Sequence, residues 1–294
     1  MKILVIGGSG LVGSHVLKAA QAAGHAATGT YHQSPQPGLL PLACADAKAT
    51  QALLKQEKPD VVVHAAGWTW VDGCEDDPKR AFAENTEQPA QLAAWCHAAG
   101  IRFVYFSTSY VFDGKTGPYT EDAAPCPINV YGRSKLQAEQ EIQRVTDGTA
   151  LLPRVICVYG AEKRGKNFAY QVRRAMETGQ TLSLPVDQCG NPSWAGDLGP
   201  WVVKLLEQRA SGIWHLGGPW PGCTRTEWAE RLVKAFTALG VKTHPQFGIK
   251  SILTADLKQR AWRPLQAGLL TPKADELKFV PTDFDRTIRE LMAG

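Results

Sequence analysis

Met1-Lys2-Ile3-Leu4-Val5-Ile6-Gly7-Gly8-Ser9-Gly10-Leu11-Val12-Gly13 opens the chain. The apolar run Ile3 to Ile6 has no polar alternation, which is the pattern of a strand buried on both faces. Gly7, Gly10 and Gly13 follow at a GxxGxxG spacing, and Leu11 to Ala23 then reads as an apolar helix. Glycines here permit a tight turn, let the backbone approach a pyrophosphate and pack helix against strand, while the helix N-terminal amides face the anion. Gly7, Gly10 and Gly13 are the candidate phosphate-binding residues, with Ser9, Leu11 and Val12 in the same loop. An ordinary strand-to-helix turn can show this spacing too; its place at the start of a βαβ pattern favours a dinucleotide. The brief apolar run, with no cleavage site after it, reads as a strand and not as a secretion signal.

Outward from this loop, short apolar runs alternate with helical patterns. Thr28 to Tyr31, Val61 to Ala65 and Arg102 to Phe106 read as strands, as does a third apolar run at Leu42-Ala43-Cys44-Ala45; Ala49 to Glu57 and Pro78 to Gly100 read as helices. Continuous apolar strands separated by helices predict a parallel sheet covered on both faces, the doubly wound α/β (Rossmann-type) class. Ligands of such sheets sit at the carboxyl ends of the strands. After Gly160 the pattern loosens into Pro- and Gly-rich stretches, so residues 1–160 are expected to form the dinucleotide-binding domain and 161–294 mainly a smaller substrate-binding region, with 194–216 returning to the first.

Composition narrows the class. A chain of 294 residues with 44% hydrophobic content can bury a large core, and a net charge of +4 with interspersed signs suggests no nucleic-acid partner. No stretch approaches the roughly 18 apolar residues of a membrane span. The seven cysteines are scattered without a CxxC pair, and no His or carboxylate cluster has metal-ligand spacing, so no metal and a reducing cytoplasm are expected. A homodimer is the commonest assembly for such a chain.

A carboxylate at the end of the second strand would hold the adenosine ribose and favour NAD. The segment reads Gly29-Thr30-Tyr31-His32-Gln33-Ser34, without acid or arginine. This leans to NADP(H), with His32 and Ser34 near a 2′-phosphate, and leaves NAD(H) open. Asp46 is placed either to accept from the adenine amine or to cap the helix from Ala49.

Tyr131-Gly132-Arg133-Ser134-Lys135 puts a tyrosine and a lysine at i, i+4 on one face of a helix expected over Tyr131 to Val145. A nearby ammonium would lower the phenol's pKa, letting Tyr131 deliver a proton to a carbonyl. YxxxK is common by chance. Ser107-Thr108-Ser109-Tyr110, however, follows the Arg102 to Phe106 strand at the carboxyl edge, where Thr108 and Tyr131 would polarise the same oxygen.

These residues resemble an extended short-chain dehydrogenase/reductase, specifically the dTDP-4-dehydrorhamnose reductase family, over nearly the whole chain. The resemblance rests on the glycine loop, Ala65-Ala66-Gly67, Val71-Asp72, Cys74-Glu75, Asn85 and Phe106-Ser107-Thr108-Ser109-Tyr110-Val111-Phe112-Asp113-Gly114. It continues through Pro127 to Lys135, Glu139, Arg154, Val158-Tyr159-Gly160, Asn167-Phe168, Asp187-Gln188, Gly190-Asn191-Pro192 and Arg263-Pro264. It implies NAD(P)H-dependent reduction of the 4-keto group of a nucleotide-linked deoxysugar by Thr108, Tyr131 and Lys135. Tyr31, His32, Asp46, Ala47, Ala65, Ala66, Gly67 and Ser107 join the implied cofactor site. Val71, Thr108, Ser109, Tyr110, Cys157 and Arg263 form the implied sugar site, and Trp68 and Trp70 either stack on a sugar or base there or serve as core or interface residues. Departures cluster at the sugar: Ser109 replaces the usual aspartate, Cys157 the usual tryptophan, and Trp68 and Trp70 stand where smaller side chains are typical. Lys163, Arg164 and Lys166 either attract the substrate's diphosphate or form a solvated loop, and His215 reads as a structural histidine. Two rival readings share these motifs: a non-catalytic regulatory subunit like the methionine adenosyltransferase beta subunit, and a nucleotide-sugar epimerase or dehydratase.

Overall fold

The first strand, β1 (Lys2–Ile6), lies between two parallel neighbours, β2 (Ala26–Tyr31) and β4 (Val61–His64), and its apolar run has no polar face because Ile3 and Val5 enter one core and Leu4 and Ile6 the other. A computed structural model describes residues 1–293. Beyond β2 lies the edge strand β3 (Leu39–Pro41); beyond β4 come β5 (Arg102–Tyr105), β7 (Leu151–Val155) and β10 (Gly212–His215), while the two-residue β6 (Ser107–Thr108) also pairs with β7. The order is β10-β7-β5-β4-β1-β2-β3 and every pairing in this sheet is parallel. Helices cover both faces. One layer is α1 (Leu11–Ala22) with α8 (Ala195–Glu207), packed through Val16, Ala20, Leu198 and Val202; the other is α2 (Ala47–Glu57), α5 (Gln88–Ala98) and α6 (Val130–Val145), packed through Leu54, Leu92, Cys96, Ala138 and Ile142. Short α3 (Val71–Asp76) and α4 (Pro78–Phe82) lie between β4 and α5.

A second core gathers beside the sheet's carboxyl edge. It contains α7 (Phe168–Thr178), α9 (Arg225–Ala238) and α11 (Phe284–Ala293) around Met176, Trp228, Phe236 and Ile288. Two small ribbons, β8 (Thr181–Pro185) with β12 (Gly248–Ile252) and β9 (Cys189–Gly190) with β11 (Cys223–Thr224), complete it. The last short helix, α10 (Pro272–Glu276), returns to the large sheet, where Ala274 joins the first core.

Two elements differ from the sequence reading. Pro78 to Gly100 is not one regular helix, because Ala83–Glu87 forms a wide π-turn between α4 and α5. Pro89 lacks the amide a regular ladder would use, and the widened turn accommodates that loss. The turn also aims Asn85 at the main chain of Trp68 (2.8 and 3.0 Å) and Thr86 at Ser134 O (2.7 Å). The apolar run Leu42 to Ala45 lies just past β3, since this edge strand has β2 as its single neighbour and ends at Pro41.

The helix α6 is fixed to β7 by charge. Arg154 on β7 is fully buried and donates from Nε and Nη2 to the two carboxylate oxygens of Glu139 on α6, at 2.8 and 2.6 Å. Removing one partner of a buried pair strands the other charge in a dry site. Glu139→Ala is therefore expected to destabilise the fold by about 3–5 kcal/mol, read as a lower urea midpoint with unchanged slope.

Candidate active site

The carboxyl ends of β1, β2 and β4 open onto a cleft walled by Gly7, Ser9 and Gly10, by Thr30 to Ser34, by Leu42 to Ala45 and by His64 to Trp68. Gly7 sits at φ +83, where a Cβ would come within 2.9 Å of Ala66 N, and a Cβ at Gly13 would stand 2.2 Å from Gly7 O. Gly13 thus serves helix-against-strand packing, and Gly7 the turn. The N-cap of α1, Gly10, has no side-chain cap and the first turn carries no acid, so its amides remain free for an anion. A dinucleotide pyrophosphate fits this cradle. Tyr31, His32, Ala65, Ala66 and Gly67 line the same cleft. Asp46 accepts from Ala49 N at 2.9 Å as the cap of α2, and neither it nor Ala47 belongs to the cleft wall.

Tyr131 and Lys135 lie in the first turns of α6, whose start is fixed by Asn129 Oδ1 accepting from Gly132 N (2.7 Å) and Glu75 Oε1 accepting from Val130 N (2.7 Å). Lys135 Nζ donates to Phe106 O at 2.6 Å and lies 3.8 Å above the Tyr105 ring. Burial lowers its pKa to about 7, partly opposed by Glu139. Tyr131 packs edge-on against Tyr110, with ring centroids 5.6 Å apart. Its phenol is raised by burial, and the Thr108 hydroxyl beside it pulls the other way. The expectation that Lys135 lowers the Tyr131 pKa is not met: the ammonium is turned to the Phe106 carbonyl, and desolvation sets the phenol's proton affinity. Two further groups were silent in the sequence. His64, at the end of β4, is buried with neither ring nitrogen hydrogen-bonded, and burial holds its pKa down to about 3. Ser107 Oγ is likewise buried and without a partner.

Two further pockets adjoin, sharing Tyr110, Cys157, Gln188, Arg225 and Trp228. Ser109 lines one, with its buried Oγ unpartnered; Trp70, Val71 and Arg263 line the other. Trp70 is 62% exposed at the rim. Arg263 is held by Asp72 at 2.9 Å, and Arg225 Nη2 donates to Cys157 Sγ at 3.7 Å. Trp68 parts from Trp70: it lines the cofactor cleft, with the Arg80 guanidinium 4.2 Å above its ring. The sequence reading missed Arg80, Glu84 and Gln88 in that cleft, and Arg225 and Trp228 in the two further pockets. The wide turn that carries Glu84 and separates Arg80 on α4 from Gln88 on α5 has no sequence signature, whereas Thr224 and Glu227 form a capping box that does mark the start of α9. His215 is buried, with Nδ1 3.0 Å from Leu270 O. Among the described residues no group of three or more His, Cys, Asp or Glu side chains is arranged to hold a metal ion, and no helix is long and apolar enough to cross a membrane.

The family described as RmlD substrate binding domain matches residues 1–294. The probable low-salt glycan biosynthesis reductase Agl14 of Haloferax volcanii is 35% identical over 92% of this chain and 89% of its own length. A dTDP-4-dehydrorhamnose reductase of Burkholderia thailandensis is 35% identical over 74% of this chain and 71% of its own. The crystal structure of dTDP-4-dehydrorhamnose reductase from Bacillus anthracis in complex with NADP has a TM-score of 0.85, covering 99% of this chain and 98% of that one at 22% identity.

The buried Lys135 has a stability consequence. A lysine whose folded pKa is about 7 disfavours the fold wherever the amine must carry its charge. The penalty is complete below that pH and fades as pH rises towards the unfolded value of about 10.4. Lys135→Met is expected to raise the melting temperature of the cofactor-free protein at pH 6, with a gain that shrinks towards pH 10. A lower melting temperature at pH 6 would contradict this.

Proposed function

The chain belongs to the RmlD substrate binding domain family, and on that footing we propose that it reduces the 4-keto group of a nucleoside-diphosphate 4-keto-6-deoxysugar. It is an NAD(P)-dependent oxidoreductase, as its relatives named dTDP-4-dehydrorhamnose reductase are. The observation that carries the reading is that Thr108 on β6 and Tyr131 and Lys135 in the first turns of α6 are buried at the carboxyl edge of the sheet, with the Thr108 hydroxyl beside the Tyr131 phenol and Tyr110, which packs on Tyr131, lining both outer pockets.

NADP(H) is the favoured carrier, with NAD(H) second. Thr30 to Ser34 offer hydroxyls and an imidazole but no carboxylate to repel a 2′-phosphate, and the Bacillus anthracis protein of the same fold holds NADP. Once bound, the nicotinamide supplies the hydride. The chain's own work is to place and polarise the carbonyl. Thr108 orients the oxygen, and Tyr131, kept protonated by burial, delivers its proton to that oxygen. Lys135 Nζ, fixed at the Phe106 carbonyl, stands within the same buried pocket to hold the nicotinamide ribose. A raised phenol pKa suits this direction, because reduction needs the neutral acid. At the sugar, Ser109 Oγ and Arg263 supply polar contacts. The intact trio disfavours a purely regulatory subunit. Ser109-Tyr110 beside Thr108 offers no carboxylate, which disfavours a dehydratase.

Tyr131→Phe is expected to lower turnover of dTDP-4-dehydro-L-rhamnose by about 10²–10⁴-fold, the usual worth of a positioned general acid, while the Kd for NADPH stays unchanged. Undiminished turnover would remove Tyr131 from the chemistry. Wild-type protein that binds cofactor yet turns over no nucleotide-linked keto-sugar would favour the regulatory reading.

A further inference from the structure

Two guanidinium groups line the cofactor cleft, and they are in different states. Arg80 is engaged, donating from Nε to Glu84 Oε1 at 2.6 Å while stacked over Trp68. Arg164 is exposed, and its guanidinium forms no ion pair or hydrogen bond among the described residues. It comes from a different part of the chain from every other residue of the cleft, the loop between β7 and α7 that leads into the second core.

That loop is built. Glu162 Oε1 accepts from Lys166 N (2.9 Å), Asn167 N (2.7 Å) and Asn167 Nδ2 (2.8 Å), closing the segment on itself. His15 Nε2 lies 3.1 Å from Ala161 O, which ties the loop to the side of α1 one turn from its uncapped start. Gly160 packs against Leu11 and His15, so the chain crosses α1 beside the glycine loop. The segment therefore brings one unpartnered cation to the end of the helix whose amides are free. An anion seated there would meet both the helix N-terminus and the guanidinium.

We infer that Arg164 is a cofactor-binding residue: it reaches from the second core across α1 to pair with the diphosphate of the dinucleotide, strapping the cofactor into the cleft. The sequence left Lys163, Arg164 and Lys166 as candidates for the substrate's diphosphate, and the cleft assigns Arg164 to the other ligand. Lys163 and Lys166 are absent from the cleft wall. This inference rests on the dinucleotide reading of the glycine loop. A ribose 2′-phosphate carries the same chemistry, but the residues nearest that position, Tyr31 to Ser34, lie at the end of β2, whereas the Arg164 loop is fastened to α1.

The test is calorimetric titration of the full chain with NADPH and with NADH, comparing wild type, Arg164→Ala and Arg164→Lys. The diphosphate is common to both cofactors, so Arg164→Ala is expected to weaken both by a similar factor, about tenfold for one charge-assisted contact at a partly exposed site. Arg164→Lys should recover most of the loss, and the difference from wild type should shrink in about 0.5 M salt. Equal affinities in wild type and Arg164→Ala would overturn the assignment, as would a loss confined to NADPH, which would move the arginine to the 2′-phosphate. Failure of wild-type protein to bind either cofactor would instead strike the dinucleotide reading itself. An unchanged melting temperature of the cofactor-free variant separates lost contact from lost fold.

Discussion

The bidentate pair between Glu139 and Arg154 is the contact on which the site's geometry depends. Tyr131, Lys135 and Glu139 stand at i, i+4 and i+8, so they share one face of α6. Glu139 bonds to Arg154 on β7 at 2.8 and 2.6 Å in a fully buried setting. Fixing the last of the three fixes the rotation of the helix and hence the direction of the first two. The same carboxylate faces the Lys135 ammonium and opposes the desolvation that pulls its pKa down. One ion pair thereby serves both position and charge.

Around it, the site is dry at its centre and open at both ends. Tyr131, Lys135, Thr108, Ser107 and His64 are all buried at the carboxyl edge of the sheet. The cost is visible in His64 and Ser107, whose polar atoms have no partners, and in a lysine held near the pH of half-ionisation. Unsatisfied groups of this kind are costly in a folding sense and concentrate at functional sites. His64 lines the glycine-loop cleft, and Tyr110, packed edge-on against Tyr131, lines the outer pockets. A reacting carbonyl at Thr108 and Tyr131 would meet two hydroxyls in a low dielectric, where their polarisation counts for more than in water.

Much of this was legible in the sequence, and for identifiable reasons. Ile3 to Ile6 with Gly7, Gly10 and Gly13 announced a parallel sheet because an unalternated strand and a glycine turn have few other uses together. The placement of Thr108 at the sheet edge followed from strand order, and Tyr131 with Lys135 from helical spacing. What stayed hidden depended on tertiary contacts. The π-turn at Ala83–Glu87 answers to Pro89 and to Asn85 reaching Trp68, so Arg80 and Glu84 could not be placed from periodicity. Asp46 was left between adenine and a helix cap, and the bond to Ala49 supplies the cap. Trp68 and Trp70 read alike, yet the irregular segment between β4 and α3 sends them into different pockets. The direction of the Tyr131 and Lys135 pKa shifts was beyond reach, because it follows from burial and from Lys135 meeting a backbone carbonyl.

The proposed reaction is hydride transfer from the nicotinamide to the 4-keto carbon of a nucleotide-linked deoxysugar. Its most direct test is single-turnover incubation with C4-deuterated NADPH and dTDP-4-dehydro-L-rhamnose, followed by mass spectrometry and NMR of the sugar. Deuterium at sugar C4, in a product reduced by one hydride and one proton, is the expected result. Bound cofactor with no deuterium reaching any nucleotide-linked keto-sugar would contradict the account.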